Sequence, residues 1–234
     1  MIYMYMMIIW EVQTYPGAWA LALMQPIYKV RAKDRHCPAS YRGIYLLNTL
    51  TKLLEGLIKS CLSQFTEKHD TLTSAQQGSR TSRQMHDAIY AHIATIQQNK
   101  QNSIPSYCCF IDFATAYPSV HRTRLARTLK NYNITGKIWH LLKENSRKLR
   151  IRVLRALIEE GDEVDILRGL PEGSRLSPTL FRICAAELIH ELQSKFPEPK
   201  FHDITSIDNF NWIGAFLYED DMVLIARSAA PAHD

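Results

Sequence analysis

The 234-residue chain has little of what would assign it at sight. It holds five cysteines, Cys37, Cys61, Cys108, Cys109 and Cys184, an odd number with no CxxC spacing and mostly apolar neighbours. That favours buried free thiols in a reducing compartment over a disulfide framework or a zinc site. The opening run MIYMYMMIIW stops at Glu11 without a basic leader. It falls well short of the roughly 20 residues a membrane span needs, so it reads as a strand or a ragged start, and no membrane partner is expected. With 9 glycines, 10 prolines, 46% apolar and 22% charged residues, the composition is neither collagen-like nor disordered. The net charge of +5 mildly favours a polyanionic partner and identifies none. There is no internal repeat and no low-complexity tract.

What the chain does have is periodicity. Ile27 to Tyr41 reads as a loop, with Lys29, Arg31, Lys33 and Arg35 around Asp34. Leu47, Leu50, Leu54, Leu57, Ile58, Cys61, Leu62 and Phe65 then recur at three- and four-residue steps, which predicts a long helix. Met85, Ile89, Ile93 and Ile96 predict a second, followed by a polar connection from Gln97 to Ser106. The run Tyr107–Ile111 fits a strand buried on both faces that ends at Asp112. Two helices on either side of Gly136 follow, marked by Leu125 and Leu129 and by Ile138, Leu141 and Leu142. Next comes a hairpin turning at Glu160-Gly161-Asp162. Its basic residues Arg147, Lys148, Arg150, Arg152 and Arg155 could track a nucleic-acid backbone, but pairing with the acids from Glu159 to Asp165 across the hairpin is the favoured expectation. A helix from Pro178 to Leu192 and a hairpin of Ile213–Leu217 with Met222–Ile225 close the pattern. Helices packed on a small antiparallel sheet make the expected class α+β.

Two features carry chemistry. Asp112 closes an apolar strand, and Asp220 and Asp221 sit at the tip of an apolar hairpin. Aspartate is common at strand ends and in turns, and either feature alone means no more than that. If the hairpin lies beside the strand, three carboxylates meet at one sheet edge. Their repulsion then calls for a cation, and a magnesium pair held by such carboxylates suits nucleotidyl transfer.

These segments resemble, in order, the motifs of reverse transcriptases of non-LTR retrotransposons. Tyr41–Asn48 with Lys52, and Gln77–Arg80 through Ile89, are similar to the fingers segments. FIDFATAYPSV (residues 110–120), GLPEGSRLSPTLF (169–181) and YEDD (218–221) are similar to the three catalytic motifs. The resemblance implies a right-hand polymerase: an N-terminal extension over 1–24, fingers over 25–104, palm over 105–120, fingers-like helices and a hairpin over 121–168, and palm again over 169–234. The thumb is expected to be absent, because the chain stops soon after Ile225.

Asp112, Asp220 and Asp221 would bind magnesium, with manganese as a substitute, and Tyr117 would lie under the nucleotide sugar and exclude a ribose 2′ hydroxyl. The plainer reading of Tyr117 is core packing beside Phe113. Gly173 and Glu172 would border the nucleotide, and Arg42 and Arg80 would meet its triphosphate or the template, or else be solvated surface residues. The implied partners are an RNA template, a DNA primer and deoxynucleoside triphosphates, acting in the nucleus.

Four residues depart from the family pattern: Glu172 for glutamine, Glu219 for alanine, Pro118 for aspartate and Ser79 for an aromatic. They imply a truncated or decayed copy. Two other readings stay open: a catalytically inactive fold that binds RNA or a partner protein, and an RNA-directed RNA polymerase, which Tyr117 opposes.

Overall fold

A computed structural model of the chain describes residues 1–30, 34–80, 83–155, 158–197 and 214–226. Arg31, Lys33 and Ile213 lie outside the described residues, as does the side chain of Arg155. The polypeptide forms two compact units, each assembled from two stretches: 1–62 with 117–180, and 63–116 with 181–234.

In the first unit a four-stranded sheet has the order β2-β1-β4-β5, from β1 (Leu21–Tyr28), β2 (Tyr41–Leu46), β4 (Arg150–Arg155) and β5 (Ile158–Asp165). Strands β1 and β4 run parallel while both outer pairs are antiparallel, so this sheet is mixed rather than antiparallel as expected. Pro26 is tolerated in β1 because β4 pairs only with Leu21–Met24, which leaves Pro26 facing β2 alone. Ala22, Leu47 and Leu149 form the core of this sheet, with Tyr45, Ile151 and Ile166 packed on it. The opening residues form helix α1 (Ile2–Val12), not a strand, burying only Met6 and Ile9; Glu11 is salt-bridged to Lys137 at 2.6 Å. Helices α5 (Arg122–Asn131) and α6 (Gly136–Lys148) form on either side of the Gly136 turn as expected, after the short turn α4 (Ala116–Ser119), and they pack together. Glu160-Gly161-Asp162 lie inside β5 rather than at its turn, where the register shifts opposite Ile151–Val153. The expected charge pairing holds in part: Glu163 accepts from both Arg150 and Arg152, whereas Arg147 and Lys148 engage Glu144 on their own helix.

The second unit is built on a three-stranded antiparallel sheet, β3 (Tyr107–Asp112), β7 (Asp221–Ala226) and β6 (Ala215–Tyr218), with β7 in the centre. Strict alternation divides its side chains. Ala215, Leu217, Met222 and Leu224 join Ile189 of helix α7 (Ser177–Lys195), and Phe216 and Ile225 join Ala88 and Ala91 of helix α3 (Met85–Gln101). Helix α2 (Thr49–Lys68) follows its predicted period, while α3 extends five residues into the connection expected after Ile96. Strand β3 is correctly placed but not buried on both faces: it is an edge strand, and Tyr107, Phe110 and both its cysteines are exposed. No disulfide links the five cysteines, yet Cys61, Cys108 and Cys109 are exposed and Cys37 and Cys184 half-buried, against the expected burial. Among the described residues no helix is long and apolar enough to cross a membrane.

Candidate active site

The antiparallel register of β3 and β7 sets Asp112 directly opposite Asp221, and Asp220 precedes Asp221 in the hairpin turn. Alternation puts Asp112 with Phe110 and Asp221 with Val223 on the side of the sheet away from α7. Like charges directly opposite in a sheet are destabilising, and such a violation is retained where function requires it. The carboxylates are hard oxygen donors, which suit magnesium, and directly opposed positions hold their Cβ atoms about 4.5–5.5 Å apart. On register and donor chemistry the residues fit a divalent ion. Among the described residues no group of three acidic, His or Cys side chains is already gathered closely enough to hold a metal ion.

The turn is braced by the segment before α3. Gln77 donates its amide to the Leu217 carbonyl at 2.9 Å, Leu217 donates to Ala75 at 2.8 Å, and Gln76 pairs with Leu217 as a parallel bridge. The buried Gln76 Nε2 donates to the Arg182 carbonyl at 2.8 Å, and Arg182 donates to the Gly78 carbonyl. Gly78 has to be glycine, because a Cβ there would lie 2.5 Å from the Glu219 amide nitrogen. Arg80 is not a solvated residue. Its side chain is 5% exposed, forked onto Glu67 at 2.9 and 2.6 Å, and it also donates to the carbonyls of Thr73 and Gln76. The Arg80 guanidinium in turn holds the Glu67 carboxyl below its ordinary range, outweighing the opposing effect of burial. Glu219 adopts a left-handed backbone and accepts a hydrogen bond from Ser79, so two departures from the family pattern are partners.

In the first unit the loop GLPEGSR is clamped. Tyr45 donates its amide to the Glu172 carbonyl at 2.7 Å, and Gly173, at φ 110°, approaches Tyr45 so closely that a Cβ would lie 2.4 Å from its carbonyl oxygen. Glu55 completes the clamp: Ser174 Oγ donates to Oε1 and the Arg175 amide to Oε2, both at 2.9 Å. Glu55 is 1% exposed, and burial pushes its carboxyl up more than these two bonds pull it down. Sequence reasoning passed over Glu55, although the signal was present: it lies three residues before Ile58 and seven before Leu62, a lone acid within an apolar stripe.

Glu55→Ala leaves one buried and one half-buried donor unmet and is expected to cost about 2–3 kcal/mol, read from the urea midpoint. A carboxyl raised by folding stabilises below its unfolded value of 4.5 and loses that contribution as pH climbs through the raised value. The Glu55→Gln variant should therefore lack a decline in melting temperature that the parent shows above pH 4.5.

Arg42 pairs with Glu172 at 3.4 Å, placing a cation against the carboxylate that departs from the family glutamine. Tyr117 is half-buried, and its carbonyl accepts the Leu170 amide at 2.9 Å. Arg42, Tyr117, Glu172 and Gly173 thus belong to the first unit, and Arg80, Asp112, Asp220 and Asp221 to the second.

Residues 30–234 match the model of the family described as reverse transcriptase (RNA-dependent DNA polymerase). The chain belongs to that family. It is 30% identical over 187 residues to a probable RNA-directed DNA polymerase from transposon BS of Drosophila melanogaster, covering 76% of this chain and 19% of that protein. It is 29% identical over 179 residues to the corresponding protein of transposon X-element, also from Drosophila melanogaster, covering 73% and 18%. The chain therefore spans about a fifth of the length of these curated relatives. Among solved structures, apo telomerase from Candida tropicalis, truncated from its C-terminal domain, aligns with a TM-score of 0.63 at 12% identity, over 92% of this chain and 45% of that one. Telomerase from Candida albicans, in complex with a TWJ fragment of telomeric RNA, aligns at 0.51 and 13%, over 93% and 39%. At such identities the likeness is one of fold, and this reverse transcriptase chain has the α+β polymerase architecture.

Proposed function

We propose that the chain carries the fingers and palm of a non-LTR retrotransposon polymerase and performs RNA-templated DNA synthesis by two-metal nucleotidyl transfer. The observation that carries this is the register of Asp112 against Asp221, with Asp220 beside them, in a chain whose residues 30–234 match the family. The fingers comprise 25–104 and the helices and hairpin of 121–168; the palm comprises 105–120 and 169–234. Bound magnesium, or manganese in its place, supplies charge neutralisation at the attacking 3′ oxygen and the leaving pyrophosphate. Asp112, Asp220 and Asp221 hold the ions. Glu172 and Gly173 border the nucleotide, and Tyr117 stands under the sugar, where its ring opposes a 2′ hydroxyl.

Two departures from the family pattern that were expected to mark decay are accommodated. Glu172 pairs with Arg42, and Glu219 accepts a hydrogen bond from Ser79. Neither is left as a bare charge, which favours a working polymerase over an inert remnant.

Primer extension on an RNA template with magnesium tests the proposal, comparing the chain with Asp220→Ala and with a version extended by the C-terminal segment of a curated relative. Deoxynucleotide incorporation that vanishes in Asp220→Ala is the expected result. Equal signal from both, or ribonucleotides used at parity, would overturn it. Glu172→Gln releases Arg42 toward the triphosphate, and a several-fold lower nucleotide KM is expected. Stability should change by less than about 1 kcal/mol, since the exposed pair is worth little.

A further inference from the structure

Helices α5 and α6 concentrate the molecule's positive charge. Residues 122–148 hold eight Lys and Arg against the single acid Glu144, a surplus of seven, whereas the whole chain has a surplus of five. Glu144 does not neutralise the cluster, because Arg147 and then Lys148 engage it at 2.9 and 3.0 Å and hold its carboxyl down to about 2. Between the helices runs an open groove of about 640 Å³ whose lining is mainly apolar, including Leu129, Trp139 and Leu142. Trp139 donates its indole N–H to the Ala126 carbonyl at 2.9 Å, which ties α6 to α5. Two ammonium groups converge on that one indole, Lys130 at 4.3 Å and Lys143 at 4.9 Å from the ring centroid. Among the described residues no carboxylate pairs with either of them, or with the exposed Arg127 on the same groove.

Two cations held against one ring repel each other, and an anion seated between them removes that cost. An apolar floor below a cationic rim suits a strand that offers phosphates to the rim and unstacked bases to the floor, which a duplex or a chain of carboxylates does not. The hydroxyls of Thr123 and Ser146 line the same groove and make no hydrogen bond among the described residues, leaving partners for a ribose 2′ hydroxyl. We infer that the α5–α6 groove is a binding site for single-stranded RNA. It lies within the first unit, whereas the three aspartates belong to the second, so RNA binding here does not require catalysis.

The test is fluorescence anisotropy of a labelled 12-nucleotide single-stranded RNA between 50 and 200 mM salt. Replacing Arg127, Lys130 and Lys143 together by glutamine should weaken binding at least tenfold and lower the salt slope by about 2, at roughly 0.7 per phosphate contact. The matched replacement of Lys59, Lys100 and Lys195 by glutamine should have little effect. Circular dichroism and melting establish that each variant is folded, and Lys143→Gln alone, expected to weaken binding two- to threefold, gives the same readout should the triple variant unfold. Asp220→Ala should bind RNA as the parent does, which separates this site from the catalytic reading. A loss no larger than in the matched control would overturn the inference, as would DNA of the same sequence, or polyglutamate of equal charge, binding as tightly as the RNA.

Discussion

Asp112→Asn is expected to abolish primer extension while making the metal-free chain more stable. The two effects share a cause. Asp112 and Asp221 stand directly opposite on neighbouring strands, so their charges oppose each other in the absence of a cation. Neutralising one should return about 0.2–1 kcal/mol, seen as a higher melting temperature in chelator. The same change removes an oxygen donor from the proposed ion site. Losing several kcal/mol of transition-state stabilisation corresponds to a rate at least about a thousandfold lower. A structural role alone would lower stability and activity together. Magnesium should raise the melting temperature of the parent chain and leave that of the variant unchanged.

Gly78→Ala should damage the site from outside it. The added methyl would lie 2.5 Å from the Glu219 amide, a backbone atom that cannot turn aside as a flexible side chain can. Overpacking of this kind costs about 1–3 kcal/mol, and relieving it displaces the turn that carries Asp220 and Asp221. Since a shift of about 1 Å at a reacting centre can cost on the order of a hundredfold, activity should fall by that order while the chain still folds. Urea unfolding and primer extension measured together check it; parental values in both would contradict the placement of Gly78 against the turn.

The parts of the fold that could be read in advance rest on local periodicity. The apolar stripe from Leu54 through Ile58 to Leu62 defines α2, and the short apolar run Met222 to Ile225 beside a turn defines β7, because each signal lies within a few residues. The opening MIYMYMMIIW is apolar all round and offers no period by which to tell helix from strand. The parallel pairing of β1 with β4 joins stretches more than 120 residues apart, and no local pattern encodes it. The hairpin turn departs from its expected position for a different reason: Gly161 is a turn-former, but β5 takes it up where the register shifts.

The site divides in the same way. Asp112, Asp220 and Asp221 announce themselves as acids ending apolar runs. The contacts that brace the first-unit loop and the second-unit turn do not, because Glu55 meets Ser174 and Gly78 meets Glu219 only after the chain has folded across more than 100 residues. Arg80 shows the converse, in which a guanidinium suited to phosphate is engaged by Glu67 and two carbonyls that no local pattern reveals.

Electron paramagnetic resonance titration with Mn²⁺ tests the central claim most directly, since it reads ion capture by the carboxylates without requiring turnover. The parent chain should take up manganese, magnesium should displace it, and Asp112→Asn should lose that uptake. Identical uptake by parent and variant would contradict the account.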